Sequence, residues 1–401
     1  MNKSKIFNGQ PIIKQVINYI DLSLVNDCAI EYKTDRYTKK FKTYEHLVTM
    51  VVAVLSNITS LRDITNVFHA LEGKLTHLNL KYFPKRSTIS DANSKRTSEV
   101  FGSIYYGLLK KYIKVISDSS ETKPAVKGLK IVDSSTISLF GDVLKGVGRN
   151  KLEGKKKGGI KVHTMIDALA DVPTLIKFSS AATHDHTFLK YLNLEEGSIV
   201  VFDKGYNDYE QYAKWSYDGI SFITRQKRNA KYTKLEDFDL GIGIPNEILI
   251  DELIEVYKAE QRILIRRIAY WDEEKSKVYE FITNNMYLEP DKIADIYKNR
   301  WQIELLFKRL KQNFPLKYFL GDSQNAIEIQ IWVSLIIQLI MLVIKATLKK
   351  NWSFSNMVSV IRFHLASYLD LVKFLNDPFR KWEEISSKPP DQYELNFERT
   401  G

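Results

Sequence analysis

Apolar residues recur three and four positions apart through the first third of the chain, which predicts helices. The pattern covers residues 11–20, 44–55, 61–71 and 102–116. Residues 84–93 open a further helix, with Ser87 as its expected N-cap and Thr88, Ser90, Asp91 and Asn93 in the next turn. A polar stretch at 117–126, with Pro124, reads as a linker. The pattern then changes to short β-branched runs and partial alternation, which predict strands. These lie before Asp133, at 160–168 and 172–180, before Asp203, and at 220–225, 247–257, 262–271 and 277–283. Helical spacing returns at 296–311, at 326–344 and from 345 to about 385. The predicted organisation is a helical region at 1–122, an α/β core at 123–350 with a β-rich insertion at about 228–290, and a helical region at 351–401. The last of these ends in a Pro- and Ser-containing tail, from Ser386, that is expected to be disordered.

The apolar run at 326–344 has nearly the length of a membrane span. Glu328, Gln330, Ser334 and Gln338 interrupt it. It is therefore expected to be a helix buried against the sheet, with no membrane involved.

Two of the predicted strands end in an acid. They are Gly128-Leu-Lys-Ile-Val-Asp133-Ser-Ser-Thr136 and Gly197-Ser-Ile-Val-Val-Phe-Asp203-Lys-Gly-Tyr206. The carboxyl ends of strands are where open α/β sheets place their ligand sites. A third acid, Glu304, lies in the helical run at 296–311. At about 100° per residue, Arg300, Glu304 and Lys311 fall at roughly 300°, 340° and 320° from Tyr297 on one helical wheel. Ile303, Leu306, Phe307, Leu310 and Phe314 form a separate apolar stripe. One stripe thus packs, and beside it lies a stripe of one acid, two cations and a phenol. Either that stripe is a solvated face with ion pairs, or the carboxylate ligates a divalent ion and the cations hold phosphate oxygens. With Asp133 and Asp203, the second reading is a three-carboxylate site for two Mg²⁺ ions.

The order Asp133, Asp203, Glu304 resembles the DDE triad of bacterial cut-and-paste transposases. The spacing Tyr297-x2-Arg300-x3-Glu304-x6-Lys311 matches the signature of the insertion-sequence-4 family. Asp203-Lys-Gly-Tyr206 and Asp133-Ser-Ser-Thr136 resemble that family's two aspartate motifs. Gly158-Gly-Ile-Lys-Val-His163 and Ala182-Thr-His-Asp-His186 are similar to its intervening segments. The resemblance spans about residues 125–350, and Asp35-Arg-Tyr-Thr-Lys-Lys-Phe41 resembles the amino-terminal region that often precedes this core. It implies a ribonuclease-H-like catalytic core with a β-rich insertion. It also implies Mg²⁺, replaceable by Mn²⁺, on Asp133, Asp203 and Glu304. Tyr297, Arg300 and Lys311 would grip terminal phosphates. A homodimer in a synaptic complex would act on double-stranded DNA, first at the element's ends and then at the target.

Charge agrees with a polyanionic partner: the net charge is +11 and the pI about 9.2. Among the cations, Lys155, Lys156 and Lys157 in a glycine-rich loop, and Arg86 at the helix start, are candidate DNA contacts, although the loop could equally be a solvated tip. Trp271 is either a core residue or a platform for a flipped base. His184 and His186 are unsuited to an oxygen-liganded ion and fit structural or DNA-contact roles. One cysteine, Cys28, excludes an intramolecular disulfide and a cysteine-based zinc cluster. With no apolar signal core at the start, the expected location is the bacterial cytoplasm, on the nucleoid when bound to DNA. Two other readings of the same triad are a metal-dependent nuclease unconnected with transposition and a DNA-binding protein derived from a transposase.

Overall fold

The computed structural model describes residues 9–379, except 72, 81, 83, 121–123, 125, 139–158, 239–244 and 259–260. Six helices come first: α1 (Ile12–Ile17), α2 (Leu22–Glu31), α3 (Thr43–Leu55), α4 (Leu61–Ala70), α5 (Arg86–Lys95) and α6 (Glu99–Asp118). Strands β1 (Leu129–Ser138), β2 (Gly159–Asp167), β3 (Val172–Ser180) and β4 (Ile199–Phe202) follow, then α7 (Tyr209–Tyr217) and β5 (Ser221–Arg225). Next are β6 (Thr233–Asp237), β7 (Ile248–Lys258), β8 (Gln261–Asp272) and β9 (Lys277–Thr283). The chain closes with α8 (Pro290–Lys298), α9 (Trp301–Asn313), α10 (Gln324–Thr347), α11 (Phe354–Phe363) and α12 (Leu371–Asn376).

All the described strands join one nine-stranded sheet in the order β3-β2-β1-β4-β5-β9-β8-β7-β6. β1 runs parallel to β4, and β4 to β5, while β2 is antiparallel to both of its neighbours. This mixed α/β architecture is consistent with a ribonuclease-H-like fold. The β-rich segment after β5 lengthens the same sheet, because β9 pairs antiparallel with β5.

Central strands read as unbroken apolar runs because both of their faces are covered. On β1, Ile131 packs into the cluster shared with α9 and α10, and Val132 into the cluster shared with α7. On β4, Val201 and Phe202 divide in the same way. Ile131 and Val201 therefore define a helix-covered face, and the alternation puts Asp133 and Asp203 on it.

α10 is the pivot of that face. It is buried along most of its length, against the sheet and also against α3, α5, α6 and α11. Of the polar residues that interrupt its sequence, Glu328, Gln330 and Ser334 have hydrogen-bond partners, while the Gln338 amide is buried without one. Gln330 Nε2 donates to the carbonyls of Pro315 (2.8 Å) and Tyr318 (2.9 Å), and its Oε1 accepts from Leu320 N (2.9 Å). Glu328 accepts from Ser98 Oγ at 2.6 Å. The helix is long and apolar enough to cross a membrane, but its residues are buried within protein.

Three local expectations are corrected. Residues 296–311 are not one helix. α8 stops at Lys298, and Arg300 and Gln302 make three-residue turns through their backbone N–H groups before α9 begins. Asn299 and Arg300 nevertheless keep helical dihedrals, so Tyr297, Arg300 and Glu304 stay on one side, with Arg300 over the Tyr297 ring and paired to Glu304. Nor does Ser87 cap α5: the N-cap position is Lys85, with no side-chain cap, and Ser87 lies within the helix. Asn93 does not face outward either. It is buried, receives a hydrogen bond from His46 Nε2 (2.7 Å) and donates to Leu320 O (2.7 Å). The tail from Ser386 lies outside the described residues.

Candidate active site

The sheet register brings the two aspartates together. Val132 is level with Phe202 on adjacent parallel strands, so Asp133 and Asp203 follow side by side. Val201 is level with Ile223, which carries Arg225 alongside Asp203. α9 crosses this edge on the helix-covered face. Ile303, Leu306 and Leu310 are buried beneath it, as the apolar stripe predicts, and Glu304 points to the strand ends.

Guanidinium groups link the three carboxylates. Arg300 Nη1 lies 3.3 Å from Asp133 Oδ2, and its Nη2 donates to Glu304 Oε1 at 2.6 Å. Arg225 Nη2 donates to Asp203 Oδ1 at 2.7 Å. Lys311 Nζ donates to Ser135 Oγ at 2.7 Å. Tyr297, from α8, is mostly buried against Phe281, with ring centroids 4.9 Å apart. The guanidinium carbons of Arg225 and Arg300 each lie 5.9 Å from its ring. Asp133, Asp203, Glu304, Tyr297, Arg300 and Lys311 thus meet at one place, although they come from five different elements and turns.

Burial sets the electrostatics. It raises the Asp133 carboxyl to about 6, against the pull of the Ser134 N–H and Arg300, and Asp203 and Glu304 add to the rise. Burial also works to raise Asp203. The Arg225 hydrogen bond and charge, the Lys204 N–H and Arg300 outweigh it, and Asp203 sits below its ordinary value. Burial lifts the Tyr297 phenol to about 12, so it stays protonated and can donate. Three buried polar atoms here have no hydrogen-bond partner: Arg225 Nε, Arg300 Nε and Tyr297 Oη. Unsatisfied buried donors are costly, and these three lie beside the carboxylates. A cleft of about 540 Å³ opens at Asp133 and Glu304, with Lys308, Lys311 and Lys317 on its walls.

Among the described residues, no three Asp, Glu, His or Cys side chains are close enough to hold a metal ion. The donor set around Arg300 is nonetheless all carboxylate oxygen, which suits a hard divalent cation.

Residues 124–340 match the family described as "Transposase DDE domain". The chain belongs to this family. DDE transposases are enzymes that act on DNA, and they generally use divalent metal ions. Residues 8–81 match a domain of unknown function (DUF4372). A putative transposase, y4zB, of Sinorhizobium fredii is 28% identical over 258 residues, covering 63% of this chain and 69% of that one. A putative transposase for the insertion sequence element IS4SA, of Synechocystis sp., is 28% identical over 263 residues, covering 64% and 70%. A probable transposase for IS5377, of Geobacillus stearothermophilus, is 21% identical over 289 residues, covering 69% and 73%. Among solved structures, a piggyBac transposase synaptic complex with hairpin DNA overlaps with a TM-score of 0.44 and 10% identity, over 98% of this chain and 88% of that one. That overlap is too loose to carry an argument.

The other candidate residues of this DDE family member lie apart. Arg86 is exposed at the first position of α5. Lys155, Lys156 and Lys157 lie outside the described residues. Trp271 is only partly buried, opposite Val278 near the end of the β8–β9 hairpin. Alternation turns it away from the face on which Arg225 lies over Tyr279. His184 and His186 stack on each other with ring centroids 5.7 Å apart.

Sequence reasoning missed Arg225. Its signal was weak: a cation closing a short apolar strand, 22 residues after Asp203. Asp185 was missed as well. It accepts from Ser134 Oγ (2.8 Å), lies 3.0 Å from Lys161 Nζ, and so ties β1 to β2 behind Asp133.

Proposed function

We propose that this chain is the transposase of a bacterial insertion sequence. It binds the terminal inverted repeats, cleaves the ends and joins the freed 3′-hydroxyls to target DNA. The observation that carries the reading is the meeting of Asp133, Asp203 and Glu304 around the guanidinium groups of Arg300 and Arg225, just past the point where β1 and β4 stop pairing in parallel. The three carboxylates would hold Mg²⁺, or Mn²⁺ in its place. A metal pair there would supply activation of the attacking oxygen and stabilisation of the leaving one.

The protein's own part is positioning and charge, as in phosphoryl transfer generally. Arg300 pairs with Asp133 and Glu304, and Arg225 with Asp203. With a phosphodiester in the cleft, Arg300 turns from Asp133 to the phosphate oxygens. Its Nε and the Tyr297 hydroxyl, both without partners, have donors to offer there. Lys311, Lys308 and Lys317 hold the backbone along the cleft wall. Burial against Phe281 fixes the Tyr297 ring, so its hydroxyl is presented without a rotamer search. The protein works as a homodimer in the cytoplasm, on nucleoid DNA, because two ends must be paired before joining.

The test is single-turnover cleavage on end-containing duplexes, run beside a gel-shift assay. Asp133→Ala, Asp203→Ala and Glu304→Ala should each abolish cutting and leave end binding largely intact. A mutant of any of the three that cuts near the wild-type rate removes that residue from the triad. A wild type that cuts ends but never joins them to a second duplex would point to a simple nuclease.

A further inference from the structure

A second cationic concavity lies in the amino-terminal helical region. A loop at residues 33–42 and helix α5 enclose an open cleft of about 500 Å³. Lys33, Arg36, Thr38, Thr88, Lys95 and Arg96 are among its lining residues. None of them belongs to the site at Asp133.

The charge in this cleft is unbalanced. The loop contains five cations, Lys33, Arg36, Lys39, Lys40 and Lys42, and one acid, Asp35. Asp35 is already engaged: it accepts from Thr43 N (2.7 Å) and Thr43 Oγ1 (2.8 Å), and Arg96 Nη2 lies 3.6 Å away. Among the described residues, no carboxylate pairs with Lys33, Arg36, Lys39 or Lys40. The other acid at the cleft, Asp91, is matched by Lys95 at 3.5 Å. Both of those side chains are well exposed, so the pair is weak and Lys95 is easily drawn to another anion. Arg96 is nearly buried in the cleft wall. Its Nη2 donates to Phe41 O at 2.8 Å, while Nε and Nη1 have no partner.

The loop is also held in place. Lys33 and Tyr37 have φ of 53° and 65°, in the left-handed region that is strained for residues with a Cβ. The Asp35–Thr43 bonds and the Thr34–Thr43 contact at 2.7 Å hold the loop in that form. Cations fixed before binding lose less entropy on binding.

We infer that this cleft binds the phosphodiester backbone of duplex DNA, a reading that rests on the function proposed above. The cleft is open and larger than one phosphate, it offers threonine hydroxyls between the cations, and it faces out. Asn93 is turned into the core, and α5 instead offers Thr88 and Lys95 to the cleft.

The test is fluorescence anisotropy of the full chain with duplex DNA across a salt series. The variant Lys33→Ala/Arg36→Ala/Lys95→Ala should bind at least tenfold more weakly at low salt. Its slope of log affinity against log salt should be shallower by roughly 2–3, near 0.9 for each phosphate that is no longer neutralised. Thr88→Glu, which places an anion in the cleft, should weaken binding in the same direction. A control variant, Lys110→Ala/Lys114→Ala/Lys214→Ala, removes equal charge elsewhere and should bind close to wild type. The cleft assignment is overturned if the cleft variant keeps the wild-type slope, or if the control weakens as much. Cleavage of end DNA by the wild type is measured alongside, so failure of the cleft leaves the transposase reading standing. A wild type that neither binds nor cuts DNA overturns both.

Discussion

At the residue scale, Arg225 is the most informative side chain of the site. It holds Asp203 at 2.7 Å and lies over both Tyr279 and Tyr297. As a partly exposed ion pair it contributes little to stability, ~0–1 kcal/mol. In the proposed reaction it would be a donor to the developing charge, and removing one such donor typically costs on the order of 10²–10³ in rate. Arg225→Ala should therefore slow single-turnover cleavage by roughly that factor and shift the melting temperature by only a few degrees. Arg225→Lys should recover part of the rate, since it keeps the charge but loses the planar fork. A large drop in melting temperature with cleavage intact in the folded fraction would reduce Arg225 to a structural tie.

At the element scale, α3, α5 and α10 are joined by a buried polar chain. His46 Nε2 contacts Asn93 Oδ1, and Asn93 Nδ2 donates to Leu320 O just before α10. Because that amide already donates to Leu320, its Oδ1 must accept, so the proton of His46 sits on Nε2. Burial lowers the imidazole from near 6.5 to about 3, and Arg96 adds to the effect. Between these values the unfolded chain binds the proton and the folded protein does not. Stability should therefore fall as pH drops from about 6.5 towards 3. His46→Gln keeps a donor for Asn93 and removes the titration. Denaturant melts from pH 7 to 4 should show a shallower loss for this variant, by up to about 1.4 kcal/mol per pH unit. Parallel losses for the two proteins would mean that other groups dominate acid unfolding.

At the scale of the whole molecule, the helical ends and the sheet are not separate bodies. One buried cluster runs from Ile12 to Leu375 through α10. Trp332 on α10 packs between Tyr105, Tyr106 and Phe178, and its indole approaches Gly102 so closely that a Cβ there would lie 2.9 Å from it. Removing residues 1–122 would strip α6 and α3 from α10. The remaining fragment should lose the cooperative melt of the full chain and self-associate, as read by circular dichroism and gel filtration. A fragment melting at the full-chain temperature would show that the core stands alone.

The sequence by itself determined the local periods and the order of the chemistry. Runs such as Ile131-Val132 and Val200-Val201-Phe202 read as buried strands, and each run is followed by its aspartate. The apolar stripe from Ile303 to Leu310 fixed which side of α9 is buried and so which side carries Glu304. The spacing of Tyr297, Arg300, Glu304 and Lys311 carried the family resemblance even though the single helix assumed for it is broken at residues 299–300. That break was illegible because Asn299 and Arg300 keep helical dihedrals, and nothing in their identity demands a stop. Tertiary structure alone decided what depends on register and long-range contact. Which strand lies beside β4, and hence that Arg225 meets Asp203, follows from pairing between segments about 20 residues apart. That Asn93 faces the core follows from contacts with His46 and Leu320, the latter 227 positions away. Local pattern records which face of an element is apolar. It does not record which other element will cover that face, and the polar residues along the seam take their roles from that choice.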